Sequence, residues 1–101
     1  MYRHEDIPEG RENAISRATL AQIWKCSDRT AREHIDSLRC KESPDGTFIV
    51  SHSQGGVKGY YRTSKPDEIR HFVNEGNKRI RNTARPIKQA QKLLDSKEQA
   101  V

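Results

Sequence analysis

Long apolar runs are missing from this chain. No stretch approaches the roughly 20 apolar residues that a membrane-spanning helix needs. The opening residues, Met1-Tyr2-Arg3-His4-Glu5-Asp6, form no signal-peptide hydrophobic region. The expectation is a cytoplasmic protein with no membrane partner. Cysteine is nearly absent too. Cys26 and Cys40 are the only two; they form no CxxC pair, and no histidines stand at zinc spacing. Two reduced, partly buried thiols are expected, with no metal. No phosphate-binding loop, nucleophile elbow or metal motif occurs, and His4, His34, His52 and His71 are scattered over separate segments. An enzyme needs converging acids, bases or ligands, so catalysis and a cofactor are not expected. Apolar residues make up 32% of the chain against 33% charged, so a single modest core has to be built economically.

What the chain does have is an uneven charge. Residues 1–50 carry 8 Lys/Arg and 9 Asp/Glu, whereas residues 51–101 carry 11 and 5. Lys78, Arg79, Arg81, Arg85, Lys88 and Lys92 follow one another with no acid between Glu75 and Asp95. Such a distribution points to a polyanionic partner, nucleic acid first.

Hydrophobic spacing gives the elements. Tyr2 and Ile7 suit a short first helix, ended by Pro8 and Gly10. Asn13-Ala14-Ile15-Ser16 is a short strand candidate. Ser16 caps a helix with Leu20, Ile23 and Trp24 on one face, and Ser27 caps a second, to about Cys40, with Ala31, Ile35 and Leu38 inward. Lys25-Cys26-Ser27 is the turn between them. Ser43-Pro44-Asp45-Gly46 is a turn signal, and Thr47–Ser51 and Tyr60–Thr63 are strands around a glycine loop, Gln54 to Gly59. The alternation cannot turn both Tyr60 and Tyr61 inward. Pro66 opens a last helix in which Ile69, Val73, Gly76, Ile80, Thr83, Ile87, Ala90 and Leu94 recur at steps of four and three. That is a narrow seam at heptad spacing, with Pro86 expected to break or kink it. The fold class is α+β. The expected organisation is a domain over 1–63, a basic amphipathic helix over 64–95 and a frayed tail over 96–101.

Thr19-Leu20-Ala21-Gln22-Ile23-Trp24-Lys25-Cys26-Ser27-Asp28-Arg29-Thr30-Ala31-Arg32-Glu33-His34-Ile35-Asp36-Ser37-Leu38-Arg39 resembles a helix-turn-helix. Its start at Ser27-x-x-Thr30-x-Arg32-Glu33 is similar to the reading helix of GntR-type regulators. The following hairpin, from Phe48-Ile49-Val50 to Lys58-Gly59-Tyr60, is similar to the wing of the biotin repressor's DNA-binding domain. Taken whole, the chain resembles the small winged-helix proteins of Gram-positive phages and prophages. The likeness implies a short N-terminal helix, a short strand, a helix-turn-helix and a two-stranded wing, followed by a long basic helix. It departs from the pattern in having Lys25 where such turns usually have Gly, Cys26 at an aliphatic position and His34 at a small one.

The resemblance implies sequence-specific binding of double-stranded DNA, as a transcriptional regulator or a replication-origin binder. A helix fits the major groove, where each base pair has its own donor and acceptor pattern. With Ala31, Ile35 and Leu38 inward, Ser27, Arg29, Thr30 and Glu33 are the expected base contacts. Arg17, Arg32, Ser53, Gln54, Lys58 and Arg62 are the expected backbone or wing contacts, with Gly55, Gly56 and Gly59 allowing close approach. Against this, Asp28, Glu33 and Asp36 would repel phosphates, and Arg32 and Arg39 would pair with them on a solvated face. A winged helix used to dock on a host or phage nucleic-acid-processing protein therefore stays open. The seam Ile69, Val73, Ile80 and Ile87 would bury against the chain's own domain or, as a homodimer, against a second copy. The basic residues 78–92 either clamp phosphates or form a solvated face.

Overall fold

The computed structural model describes residues 1–54 and 57–99. These form an α+β protein with a three-stranded antiparallel sheet and a long C-terminal helix. In chain order the elements are β1 (Ile15–Ser16), α1 (Arg17–Ile23), α2 (Asp28–Cys40), β2 (Phe48–Gln54), β3 (Val57–Thr63) and α3 (Pro66–Gln99). The sheet order is β1-β3-β2. Two compact units divide the chain, Met1–Ile69 and the remainder from Arg70.

Both short helices begin as their serines dictate. Ser16 Oγ accepts from the Thr19 N–H at 3.1 Å, and Ser27 Oγ from the Thr30 N–H at 3.1 Å. Each satisfies one of the donors a helix start leaves unpaired. The end of α1 explains the turn. The Cys26 N–H reaches Ala21 O at 2.9 Å while the Lys25 N–H reaches Gln22 O at 3.2 Å, the paired bonds of a Schellman cap. That cap needs one left-handed residue, and Lys25 has φ +53°, alone among the described non-glycine residues in being positive. A lysine holds a conformation that glycine takes without strain.

The core of the first unit is Ile7, Leu20, Ala21, Trp24, Ala31, Ile35, Leu38, Ile49 and Tyr60, with Tyr2, Ile15 and Cys26 packed against it. Residues 2–7 supply two of these contacts; of the expected short first helix, His4–Asp6 forms a single 3-10 turn. The segment is held by side chains. Tyr2 stacks on His34 with ring centroids 3.8 Å apart, and the Trp24 indole donates to Asp6 at 2.8 Å. His34, unusual for such a helix, is therefore the platform on which the N-terminus lies.

The strands are longer than the β-branched runs suggested, pairing from Phe48↔Thr63 to Gln54↔Val57. Gly59 lies inside β3, opposite Ser16 and His52. It leaves room for the chain before β1: a Cβ there would stand 2.9 Å from the Ala14 Cβ. Tyr60 and Tyr61 point to opposite faces, as the alternation requires, yet both are buried, at 5% and 4% exposure. The second face is covered too: Val50 lies opposite Tyr61 and is itself buried, and the Tyr61 and Thr63 hydroxyls donate to Glu68 at 2.6 and 2.5 Å. Glu68 belongs to the same compact unit, which ends at Ile69.

Helix α3 is not broken at Pro86; it runs 34 residues to Gln99, beyond the point where fraying was expected. Proline removes one N–H bond, leaving the Asn82 carbonyl to be satisfied by water, which an exposed position permits. No helix among the described residues is long and apolar enough to cross a membrane.

Two substitutions test this account by thermal or urea unfolding. Lys25→Gly is expected to stabilise by about 0.5–1 kcal/mol, because relief of the left-handed strain exceeds the entropy that glycine loses. Gly59→Ala is expected to destabilise by about 1–3 kcal/mol, as overpacking does, by forcing β3 away from Ala14.

Candidate functional site

Helix α2 is amphipathic in the sense required. Ala31, Ile35 and Leu38 are buried, while Asp28, Arg29, Arg32, Glu33, Asp36 and Cys40 are exposed. The side chain of Arg29 is 90% exposed, and its contact with Glu33 is a loose i,i+4 pair at 3.5 Å. An exposed pair of this kind is worth about 0–1 kcal/mol, so Arg29 leaves Glu33 at little cost. Ser27 and Thr30 are engaged with each other. The Ser27 hydroxyl donates to Thr30 Oγ1 at 2.9 Å while accepting from the Thr30 N–H. Thr30 keeps its own hydroxyl proton to donate outward. Ser37 is drawn the other way, bonding the Tyr2 hydroxyl at 3.1 Å.

The expected backbone contacts divide. Arg32, Ser53 and Lys58 are exposed, and Ser53 and Lys58 face each other across β2 and β3. Gly55 and Gly56 lie outside the described residues, and so does the side chain of Gln54. Arg17 is bound to Asp28 across the α1–α2 junction, with Nε and a terminal nitrogen at 3.0 and 2.9 Å from the two carboxylate oxygens. A two-pronged guanidinium–carboxylate bond fixes both partners, so Asp28 is neutralised and Arg17 braces the junction. Arg39 donates to Ile49 O at 2.9 Å, above the Tyr60 ring.

Arg62 is the most internally bonded of the expected wing contacts. Its side chain is only 14% exposed. It donates to Ile7 O at 2.5 Å and to Asp45 at 2.7 Å, and lies 3.9 Å from Glu9. Its backbone bonds Pro8 and Gly10, tying the N-terminal segment alongside β3. Asp45 is the hub of this cluster. The Thr47 hydroxyl and backbone N–H donate to it at 2.5 and 3.0 Å, with His4 at 3.3 Å. The Thr47 bonds hold the Asp45 carboxyl well below the usual carboxylate range. Glu68 is lowered by the hydroxyls of Thr63 and Tyr61, while burial, then the bond to Glu68, pushes Tyr61 up to about 12.

One surface pair was not foreseen. Arg11 donates to His52 Nδ1 at 2.8 Å. Because arginine only donates, Nδ1 is the acceptor. The two residues are 41 apart in sequence, and nothing local in either segment signals the contact. Cys26 and Cys40 are free thiols, the first partly buried and the second exposed.

In the second unit, Lys78, Arg79, Arg81, Arg85, Lys88 and Lys92 are all exposed on α3. Comparisons with protein-family models, with characterised proteins and with solved structures returned no match.

The Asp45 cluster sets an acid limit. A carboxylate lowered in the folded state stabilises above its unfolded pKa of about 4, and that stability is lost as pH falls toward the folded value. Thermal midpoints are therefore expected to fall steadily below about pH 4. Asp45→Asn should lower the midpoint near neutral pH and flatten this decline.

Proposed function

We propose that the chain is a winged helix-turn-helix protein that binds double-stranded DNA sequence-specifically, as a regulator or replication-origin binder of phage type, and catalyses no reaction. The topology supports the fold. A strand, two helices and a hairpin in that order, with the first strand on the far side of the last, is how a winged helix is wired. The Schellman turn supports it too, since a left-handed residue is what the motif's usual glycine provides.

The observation that carries the function is the outward face of α2. Arg29 is almost wholly exposed on the first turn of a capped helix whose opposite face is buried. A guanidinium so placed matches the O6 and N7 acceptors of guanine, and Glu33 one turn later matches a cytosine amino group. Lys58 and Ser53 on the hairpin supply backbone contacts, and Arg32 a phosphate contact. The internal bonds of Arg62 and Arg17 reduce the cations this surface offers. Binding therefore rests more on base contacts than the count of arginines implies.

One observation favours a second reading. Glu33 and Asp36 are exposed on the same helix as Arg29 and Arg32, and a mixed-sign face also suits a protein partner. On that reading the domain docks on a nucleic-acid-processing protein.

Selection from a random duplex pool, followed by mobility-shift titration, separates the two. A discrete site is expected to emerge. Arg29→Ala should cost about 1–3 kcal/mol and relax preference at one base position, while Lys58→Ala should weaken all sequences alike and reduce the salt slope by about one. No affinity for any duplex at low ionic strength sinks the DNA reading.

A further inference from the structure

The C-terminal helix leaves its apolar seam uncovered. Val73, Ile80, Ile87 and Leu94 recur every seventh residue and are 48%, 65%, 61% and 49% exposed. Between them, at the other seam position, come Gly76, Thr83 and Ala90, all small. One stripe thus carries bulky residues and its neighbour small ones, over about 38 Å from Ile69 to Leu94. This exceeds the three heptads at which a coiled-coil signal becomes meaningful.

We infer that this face pairs with the same face of a second copy, antiparallel, about a two-fold axis passing between Arg81 and Asn82. The size pattern selects that occupant and that direction. In a parallel, in-register pair, Gly76, Thr83 and Ala90 each meet themselves, leaving three underfilled layers. In the antiparallel register Ile80 meets Thr83 of the second copy, Ile87 meets Gly76, Val73 meets Ala90, and Leu94 meets Ile69. Every inner layer then sets a large residue against a small one, and a single axis aligns all of them.

The surface already has the receiving shape. A shallow hollow is lined by Arg79, Ile80, Thr83, Ala84 and Ile87. Four of these are the residues that, in this register, surround the incoming Ile80 of the second copy as a hole surrounds a knob. The polar atom in the hollow is satisfied beforehand: the Thr83 hydroxyl donates to Arg79 O at 2.9 Å, so covering it strands no donor. Charge agrees. Lys78, Arg81, Arg85, Lys88 and Lys92 fall on the flank away from the seam, and Arg79, at its edge, meets uncharged Ala84 of the second copy. The pairing does not rest on the DNA reading and is tested without DNA.

Sedimentation equilibrium of the full chain over a dilution series is expected to give twice the 11.6 kDa chain mass. Ile80→Lys should reduce that mass about twofold while leaving Trp24 fluorescence, which reports the first unit, unchanged. Direction is read by cysteine trapping in a Cys26→Ala, Cys40→Ser background. Mixing a Val73→Cys chain with an Ala90→Cys chain should form a disulfide. Val73→Cys alone should not, since its two copies stand about 26 Å apart along the axis, beyond any disulfide's reach. A monomer at every concentration, a trimer or tetramer, or self-linking of Val73→Cys would each overturn the inference.

Discussion

Scarcity of apolar surface governs the first unit. Among the described residues its main core cluster contains nine buried side chains, two of them alanines. Within the sixteen residues ahead of α1, Ile7 enters the core and Tyr2 and Ile15 pack against it, and polar contacts hold the rest. Arg62 ties Ile7, Pro8, Glu9 and Gly10 to β3 and to Asp45. Trp24 holds Asp6, and His34 holds Tyr2. Bonds to a charged, partly screened partner are stronger than neutral ones, which suits a fold with little hydrophobic burial to draw on. The consequence reaches the surface: each arginine used to hold the fold is one that cannot meet a phosphate.

That competition explains what could be read from the residues alone. Local signals were legible. Ser16 and Ser27 as caps and the inward set Ala31, Ile35 and Leu38 follow from contacts a few residues apart. The awkward Lys25 was located through the resemblance, as the residue standing where such turns usually have Gly. Contacts across long stretches of chain were not legible. The partners of Arg62 lie 17 and 55 residues away, and a strand arginine beside a glycine loop looks the same whether it faces solvent or the N-terminal segment. Gly59 was read as a place for a ligand to approach, whereas Ala14 occupies that space. A missing Cβ reveals that something comes close but not what.

Tyr61 and Pro86 show two further limits of periodicity. Alternation gives the face on which a strand residue lies, not whether that face is covered. Tyr61 is buried because Glu68 supplies the acceptor its hydroxyl needs, and the acid belongs to the next element. Proline disfavours a helix interior locally, but the cost falls on one carbonyl. Where that carbonyl is exposed and the flanking turns are sound, the helix continues.

The long helix separates its two chemical resources, and this removes a conflict that the linear sequence leaves unresolved. A basic stretch and an apolar seam in the same residues look like rival explanations, clamp or dimer. At heptad spacing they are not rivals, because residues at adjacent sequence positions lie about 100° apart around the axis. Ile80 and Arg81, or Ile87 and Lys88, therefore serve different surfaces. A pair joined through the seam would carry the cations of both copies on its outer flanks, where repulsion between them is screened by solvent. If instead the bulky and basic residues were interleaved on one face, pairing would bury like charges against each other, and a charge buried without a partner costs far more than the apolar contact beside it returns. The segregation is thus what permits an uncovered seam and a dense positive charge to coexist in a single helix.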